Sequence, residues 1–241
     1  MSHHSHETMV ETPEQAAFLD ALDDAVDRHA LLAHPFYQAW NAGTLSKDVL
    51  AEYAKQYFAQ VLAFPTYVSA VHSQCDDLEA RRLLLENLVE EEQGPDNHPE
   101  LWLRFAEGLG VSREDVRNAT LLPSTVESVR RLRSLARSDD WGDGLAALYA
   151  YESQIPEIAR TKREGLTRWY GIDDPRAVSF FSVHEVADVA HRNQERKLLL
   201  GRGRTEDERH RRLQATERAA EALWHFLDGI VDAYGPVQTS A

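Results

Sequence analysis

The sequence predicts an all-α, single-domain helical bundle, on three observations. Apolar residues recur at helical spacing behind cap signals along most of the 241-residue chain. No segment shows convincing period-two alternation, so no strand is expected. No internal repeat and no long Gly/Ser/Pro linker divides the chain, which places one domain at residues 12–234, between a disordered N-terminal tail at 1–11 and a C-terminal tail at 235–241.

The elements follow in order. Thr12-Pro13-Glu14-Gln15 reads as an N-cap, a proline in the first turn and a capping box, with Phe18, Leu19, Leu22 and Val26 behind it at helical spacing. The first helix ends near Arg28 to Ala30, and His34-Pro35 starts a short segment carrying Tyr37 and Trp40 on related faces. Ser46 caps a long helix with Leu50, Tyr53, Tyr57, Val61 and Phe64, kinked at Pro65. Asp76 with Glu79 restarts the chain as a helix whose apolar face is Leu83, Leu84, Leu88 and Val89 and which stops or bends at Gly94-Pro95. Pro99 suits the first turn of a helix with Leu101, Trp102 and Phe105; Ser112 and Ser124 cap two further pieces. Asp140 precedes a long apolar helix, 141–170, stopped by Gly171. Asp174-Pro175 opens the next helix, which ends at Gly201 to Gly203, and Thr205 to Glu208 caps the last one.

Composition narrows the function classes. No apolar run approaches the roughly 20 residues that span a bilayer, and the N-terminus lacks a signal peptide's apolar core. The single Cys75 cannot form an internal disulfide, so a cytoplasmic setting is expected. A net charge of −14 disfavours nucleic acid and anionic lipid as partners. The basic run from Arg202 to Arg212 is interrupted by Glu206, Asp207 and Glu208 and reads as a solvated helix start. His3, His4 and His6 are tag-like and are excluded from any site.

The chemistry centres on His184-Glu-Val-Ala-Asp188-Val-Ala-His191. Positions 184, 188 and 191 are i, i+4 and i+7, so two imidazoles and a carboxylate lie along one helix face. A solvated stripe is the bland alternative, and the case for ligands rests on company elsewhere. Glu91 lies seven residues before His98, a spacing that returns to the same face if the helix continues through a kink, although Pro95 argues for a break. Glu152 sits inside an otherwise apolar stretch, where an unpaired carboxylate carries a desolvation penalty of several kcal/mol, and Pro156 removes the N–H that would bond its carbonyl. Glu91, His98, Glu152, His184, Asp188 and His191 form a candidate ligand set for two first-row metals. Two divalent ions bring four positive charges and the three carboxylates three negative ones, leaving one for a hydroxide bridge. Nitrogen and oxygen donors without thiolate suit two irons, or iron with manganese, and O2 activation is the expected chemistry.

Several runs carry a family resemblance: His34-Pro-Phe-Tyr37, Tyr53-Ala-Lys-Gln-Tyr57, Ala63-Phe-Pro-Thr-Tyr67, His72 to Arg81, Glu91-Glu-Gln-Gly94, Asn97-His98, Leu148 to Pro156 and His184 to His191. Over nearly the whole chain after residue 12, it resembles the di-iron oxidases grouped with the Chlamydia protein associating with death domains (CADD), within the TenA/PqqC-like, haem-oxygenase-like superfamily. The resemblance implies a fold of about seven main helices, the six ligands above, and formation of para-aminobenzoate for folate synthesis from the enzyme's own tyrosine. It assigns the consumed tyrosine to Tyr37, the site-proximal tyrosine to Tyr151 and the amino donor to Lys162, with Tyr53 and Tyr57 as aromatic neighbours. The residues alone read differently: Tyr37 and Tyr151 suit ordinary core positions, and Arg160-Thr-Lys162-Arg163 favours a solvated face.

Candidate partners are O2, an electron donor and a small-molecule substrate, with a homodimer as a further candidate. Three other readings stay open: a di-metal oxidase acting on a free small molecule, a cofactor-free relative of pyrroloquinoline-quinone synthase, and a non-catalytic interaction protein. A thiaminase-like hydrolase is disfavoured because Asp76 and Asp77 would raise the pKa of Cys75. A haem enzyme could take His34 as its axial ligand, but six metal-competent residues elsewhere make haem redundant.

Overall fold

The computed structural model describes residues 12–235, the side chains of residues 186–189 excepted. Asp188 therefore lies outside the described residues, as do His3, His4, His6 and both expected tails except Gly235.

Eleven α-helices follow one another among the described residues: α1 Pro13–Asp27, α2 Pro35–Ala42, α3 Lys47–Gln74, α4 Leu78–Glu92, α5 His98–Gly108, α6 Arg113–Arg117, α7 Pro123–Ala136, α8 Trp141–Glu152, α9 Ile155–Gly165, α10 Ser179–Arg202 and α11 Glu206–Tyr234. A 3₁₀ turn at Leu31–Ala33 and a π turn at Leu166–Tyr170 complete them. The count exceeds the expected seven for two reasons. Short helices fill the connections, and the stretch 141–170 is not one helix: it breaks after Glu152, because Pro156 has no N–H for that residue's carbonyl, and restarts as α9.

Local chemistry explains most boundaries. The Thr12–Gln15 and Thr205–Glu208 capping boxes are both formed. The His34 ring caps α2, its Nδ1 accepting from the Phe36 N–H and its Nε2 lying 3.1 Å from Asp228 Oδ1, so both ring nitrogens are engaged. Helix α3 runs unbroken through Pro65 for 28 residues, about 42 Å at 1.5 Å per residue. Three predicted starts move. The cap of α4 is Asp77 rather than Asp76, α7 starts at Pro123 with Leu122 rather than Ser124 in the cap position, and α10 starts at Ser179 because Asp174 instead closes a turn by accepting from Arg176 N.

Helix α3 packs against α4, α5, α7 and α8, α11 against α7 and α8, and α10 against α8, α9 and α5. The core between them is aromatic, with Trp40, Tyr53, Trp102, Phe105, Phe181 and Phe226 buried. The basic run departs from expectation at its end. Arg212 is fully buried, pairing with Asp140 at 2.7 Å and with Asp143, beneath Gly142, where a Cβ would meet its guanidinium. Among the described residues no helix is long and apolar enough to cross a membrane.

The inner face of α4 also differs from its apolar prediction. Ala80, Leu84, Asn87 and Glu91 are buried, while Val89 is 44 % exposed. The helix is turned so that polar groups face the bundle interior, a costly choice unless they have partners there.

Candidate active site

Glu91 stands next to last in α4, and His98 is the first residue of α5. The helix breaks between them, as Pro95 argues, rather than continuing through a kink. The chain leaves the helix at Gln93, turns at Gly94 with φ +85°, and restarts behind an Asn97 cap whose side chain accepts from Glu100 N. That reversal still joins the two residues, with His98 Nδ1 2.8 Å from Glu91 Oε2. His184 enters from α10 with its ring centroid 4.3 Å from that of His98. One donor atom from each of Glu91, His98 and His184 lies within 4.8 Å of the others, all three side chains being buried.

The tautomer of His184 follows from its neighbour. Its Nδ1 lies 2.6 Å from the Phe180 carbonyl oxygen, which can only accept, so Nδ1 carries the proton and Nε2 keeps its lone pair. Burial, reinforced by His98, holds this imidazole well below its ordinary pKa and therefore neutral. Burial pushes the Glu91 carboxyl up. A buried oxygen–nitrogen–nitrogen set without thiolate fits a first-row divalent ion, whose charge would offset the cost of burying the Glu91 carboxylate. Cys75 takes no part, its thiol raised by burial ahead of the charges of Asp77 and Asp76.

A second group adjoins the first. Glu152, the last residue of α8, is 2 % exposed; its Oε1 accepts from Asn87 Nδ2 at 2.9 Å and lies 3.3 Å from His191 Nδ1. The other His191 nitrogen is 3.2 Å from Glu90 Oε2. Glu91, His98, Glu152 and His184 line one cavity. Five of the six sequence candidates thus gather in two neighbouring groups, and Asp188 lies outside the described residues. Sequence reasoning missed Asn87 and Glu195, the latter buried on α10 with its carboxyl group adjoining that of Glu152. The available signal was helical spacing: Asn87 precedes Glu91 by one turn, and Glu195 follows His191 by one turn.

Beside these groups lies a cluster of phenols around one amine. Lys162 is 3 % exposed, against the solvated face predicted from Arg160 and Arg163. Helix α9 is amphipathic with Ile158, Ala159, Lys162 and Gly165 inward, so the two arginines project outward and the lysine between them does not. Lys162 Nζ donates to Tyr53 Oη at 2.7 Å and sits 5.4 Å from the Tyr37 ring centroid and 4.8 Å from that of Tyr57. The Tyr37 and Tyr53 hydroxyls are 3.4 Å apart, and those of Tyr57 and Tyr151 2.9 Å. Tyr53 stacks on Tyr57 with centroids 5.5 Å apart, which links the two pairs.

Burial decides the protonation of this cluster. It lowers Lys162 to about 7 and raises Tyr37, Tyr53 and Tyr151 well above the ordinary phenol range. Near neutral pH the phenols keep their protons, and the amine has a substantial neutral fraction with a nucleophilic lone pair. The shared cavity, also lined by Tyr57, Tyr151 and Lys162, measures about 30 Å³. That is room for a water or two, or for O2, and not for a free aromatic substrate.

Residues 19–232 match the model of the TENA/THI-4/PQQC family. A protein of Nitrosomonas europaea named 4-aminobenzoate synthase is 42 % identical over 226 residues, covering 90 % of this chain and 92 % of the relative. A protein of the same name from Chlamydia trachomatis is 41 % identical over 215 residues, covering 89 % and 92 %. Among solved structures, a domain with a heme oxygenase-like fold from Shewanella denitrificans superposes with a TM-score of 0.72 at 18 % identity, covering 97 % of each chain, which shows that fold here.

Proposed function

Because this chain belongs to the TENA/THI-4/PQQC family, we propose that it is a dinuclear non-haem metal-dependent oxygenase that makes 4-aminobenzoate, taking the ring from its own Tyr37 and the nitrogen from Lys162. The reading rests on membership together with the activity named for relatives 41 and 42 % identical. The observation that carries its self-consuming part is the placement of Lys162: a buried amine one hydroxyl away from the Tyr37 phenol, beside a cavity too small for a free tyrosine.

Glu91, His98 and His184 would hold one ion, and Glu152 and His191, with Asp188, the other. Bound there, two irons, or iron with manganese, supply the reduction of O2 to an oxidant, with electrons from an external donor. The chain's own residues do the rest. Phe180 O fixes the His184 ring, and Asn87 orients Glu152. Aromatic side chains exclude water, and Tyr53 holds the Lys162 amine against Tyr37. The product requires that the Tyr37 Cα–Cβ bond break, that Cβ reach the carboxylate level, and that nitrogen replace the phenol oxygen as the Lys162 Cε–Nζ bond breaks. The line of phenols from Tyr37 through Tyr53 and Tyr57 to Tyr151, next to Glu152, offers a route for protons and electrons between the ring and the metal groups.

The test is isotopic. Protein grown with ring-labelled tyrosine and side-chain-labelled lysine, loaded with Fe(II) or Fe(II)/Mn(II) and given reductant and O2, is expected to release 4-aminobenzoate carrying both labels. Label arriving instead from free tyrosine added to unlabelled protein would assign the chemistry to an external substrate.

A further inference from the structure

Glu195 has no role in the chemistry so far, yet its setting is that of the metal-site residues. It lies on α10 one turn beyond His191, is 5 % exposed, and its carboxyl group adjoins that of Glu152 on α8. Glu195 follows His184 by eleven residues and His191 by four, so it continues the buried face of α10 that carries these two histidines.

The energetics favour a cation here. Glu91 from α4, Glu152 from α8 and Glu195 from α10 are all at least nine-tenths buried. Glu152 accepts from Asn87 at 2.9 Å and lies 3.3 Å from His191, and among the described residues no lysine or arginine forms an ion pair with it. Two buried carboxyl groups in contact are costly unless they share a proton or a cation lies between them. Two divalent ions bring four positive charges, and Glu91, Glu152 and Asp188 balance only three. A fourth carboxylate makes the site neutral.

We propose that Glu195 is a seventh residue of the metal site, a carboxylate ligand of the second ion together with Glu152 and His191. The inference rests on the dinuclear reading above, and its test separates the two. Metal-free full-length protein is titrated anaerobically with Mn(II) and, separately, with Fe(II), and bound metal per chain is measured after desalting. Wild type is expected to hold two ions. Glu195→Gln should keep the first at unchanged affinity and bind the second at least about tenfold more weakly, and Glu195→Asp should fall between them. The exposed Glu164→Gln serves as a control and should match wild type.

Glutamine separates ligation from a shared hydrogen bond, because its amide can still donate to Glu152 but its weaker oxygen donor cannot replace the carboxylate charge. Two ions held at wild-type affinity by Glu195→Gln, or a manganese-loaded crystal structure with the Glu195 carboxylate away from both ions, would overturn the proposal. Should Glu195→Gln fail to fold, the Glu195→Asp titration and the loaded crystal structure still decide it. Uptake of fewer than two ions by wild type would overturn the dinuclear reading itself, and the proposal with it.

Discussion

Lys162 Nζ donates to Tyr53 Oη at 2.7 Å, and through that hydroxyl the only charged atom of the α9 inner face reaches the Tyr37 phenol, 3.4 Å further on. A buried lysine is costly, and the fold surrounds this one with aromatic rings rather than a carboxylate: its depressed pKa has burial as its sole cause. Such an amine fits the role of nitrogen donor proposed for it, since its burial weakens the fold.

Stability should therefore rise with pH through this group. The folded pKa is about 7 against 10.5 in the unfolded chain, so the unfolded state binds more protons between those values and stability climbs across that window. Below pH 7 the full penalty stands, on the order of a few kcal/mol. Denaturation of Lys162→Met at pH 6 and pH 9 should show a smaller difference than wild type and equal or greater stability at pH 6. An unchanged pH dependence would mean that the lysine is not buried as described. Product formation by wild type should increase as pH rises through 7, and Lys162→Met should lose at least about 100-fold, as expected when a nucleophile is removed.

Tyr53→Phe deletes one hydroxyl and leaves the ring stack. Product yield should fall at least about tenfold while metal content stays unchanged, because the amine loses the partner that orients it. A yield equal to wild type would show that Tyr53 does not position Lys162.

Gly165 abuts Trp40, and an added Cβ would lie 2.6 Å from the indole Nε1, which donates to the Lys162 carbonyl at 3.3 Å. Gly165→Ala should cost about 1–3 kcal/mol in denaturant unfolding, as overpacking does, and should disturb α2, which carries Tyr37. Gly201, with open space where its Cβ would be, is the control. Gly201→Ala should be neutral or stabilising by up to about 1 kcal/mol.

Metal removal should destabilise the fold, since the buried carboxylates then face each other without a cation. Divalent ion at about 100 times its Kd contributes roughly 2.7 kcal/mol, which for a chain of this size raises Tm by about 5–10 °C. Thermal melts with Mn(II) and with chelator measure it, and coincident melts would contradict a metal site. Asp188→Ala should abolish metal-dependent O2 consumption; retained turnover would remove Asp188 from the ligand set.

Much of this was legible in the chain because local rules dominate its helix ends. Capping boxes at Thr12 and Thr205 act within four residues, and sequence reads them directly. Glu152 was legible as a carboxylate in an apolar run beside Pro156, and the 184/191 spacing as a helix stripe. The illegible parts depend on rotation about a helix axis. Val89 faces outward and Asn87 inward because α4, packed on α3 and α5, turns Asn87 to Glu152 of α8, a partner that α4's own pattern does not reveal. Lys162 between two arginines looks solvated until α9 is seated against α10 and α2. Arg212 looks like a surface charge until Gly142 and Asp140 are brought over it. The resemblance to a self-consuming oxidase pointed to Lys162; its burial needed the structure.

The most direct measurement is mass spectrometry of the peptide containing residue 37 after a single aerobic reaction of the metal-loaded protein. The account predicts loss of the Tyr37 side chain in step with 4-aminobenzoate released, at no more than one product per chain, and no product from Tyr37→Phe. Many turnovers per chain with an intact Tyr37 would contradict it.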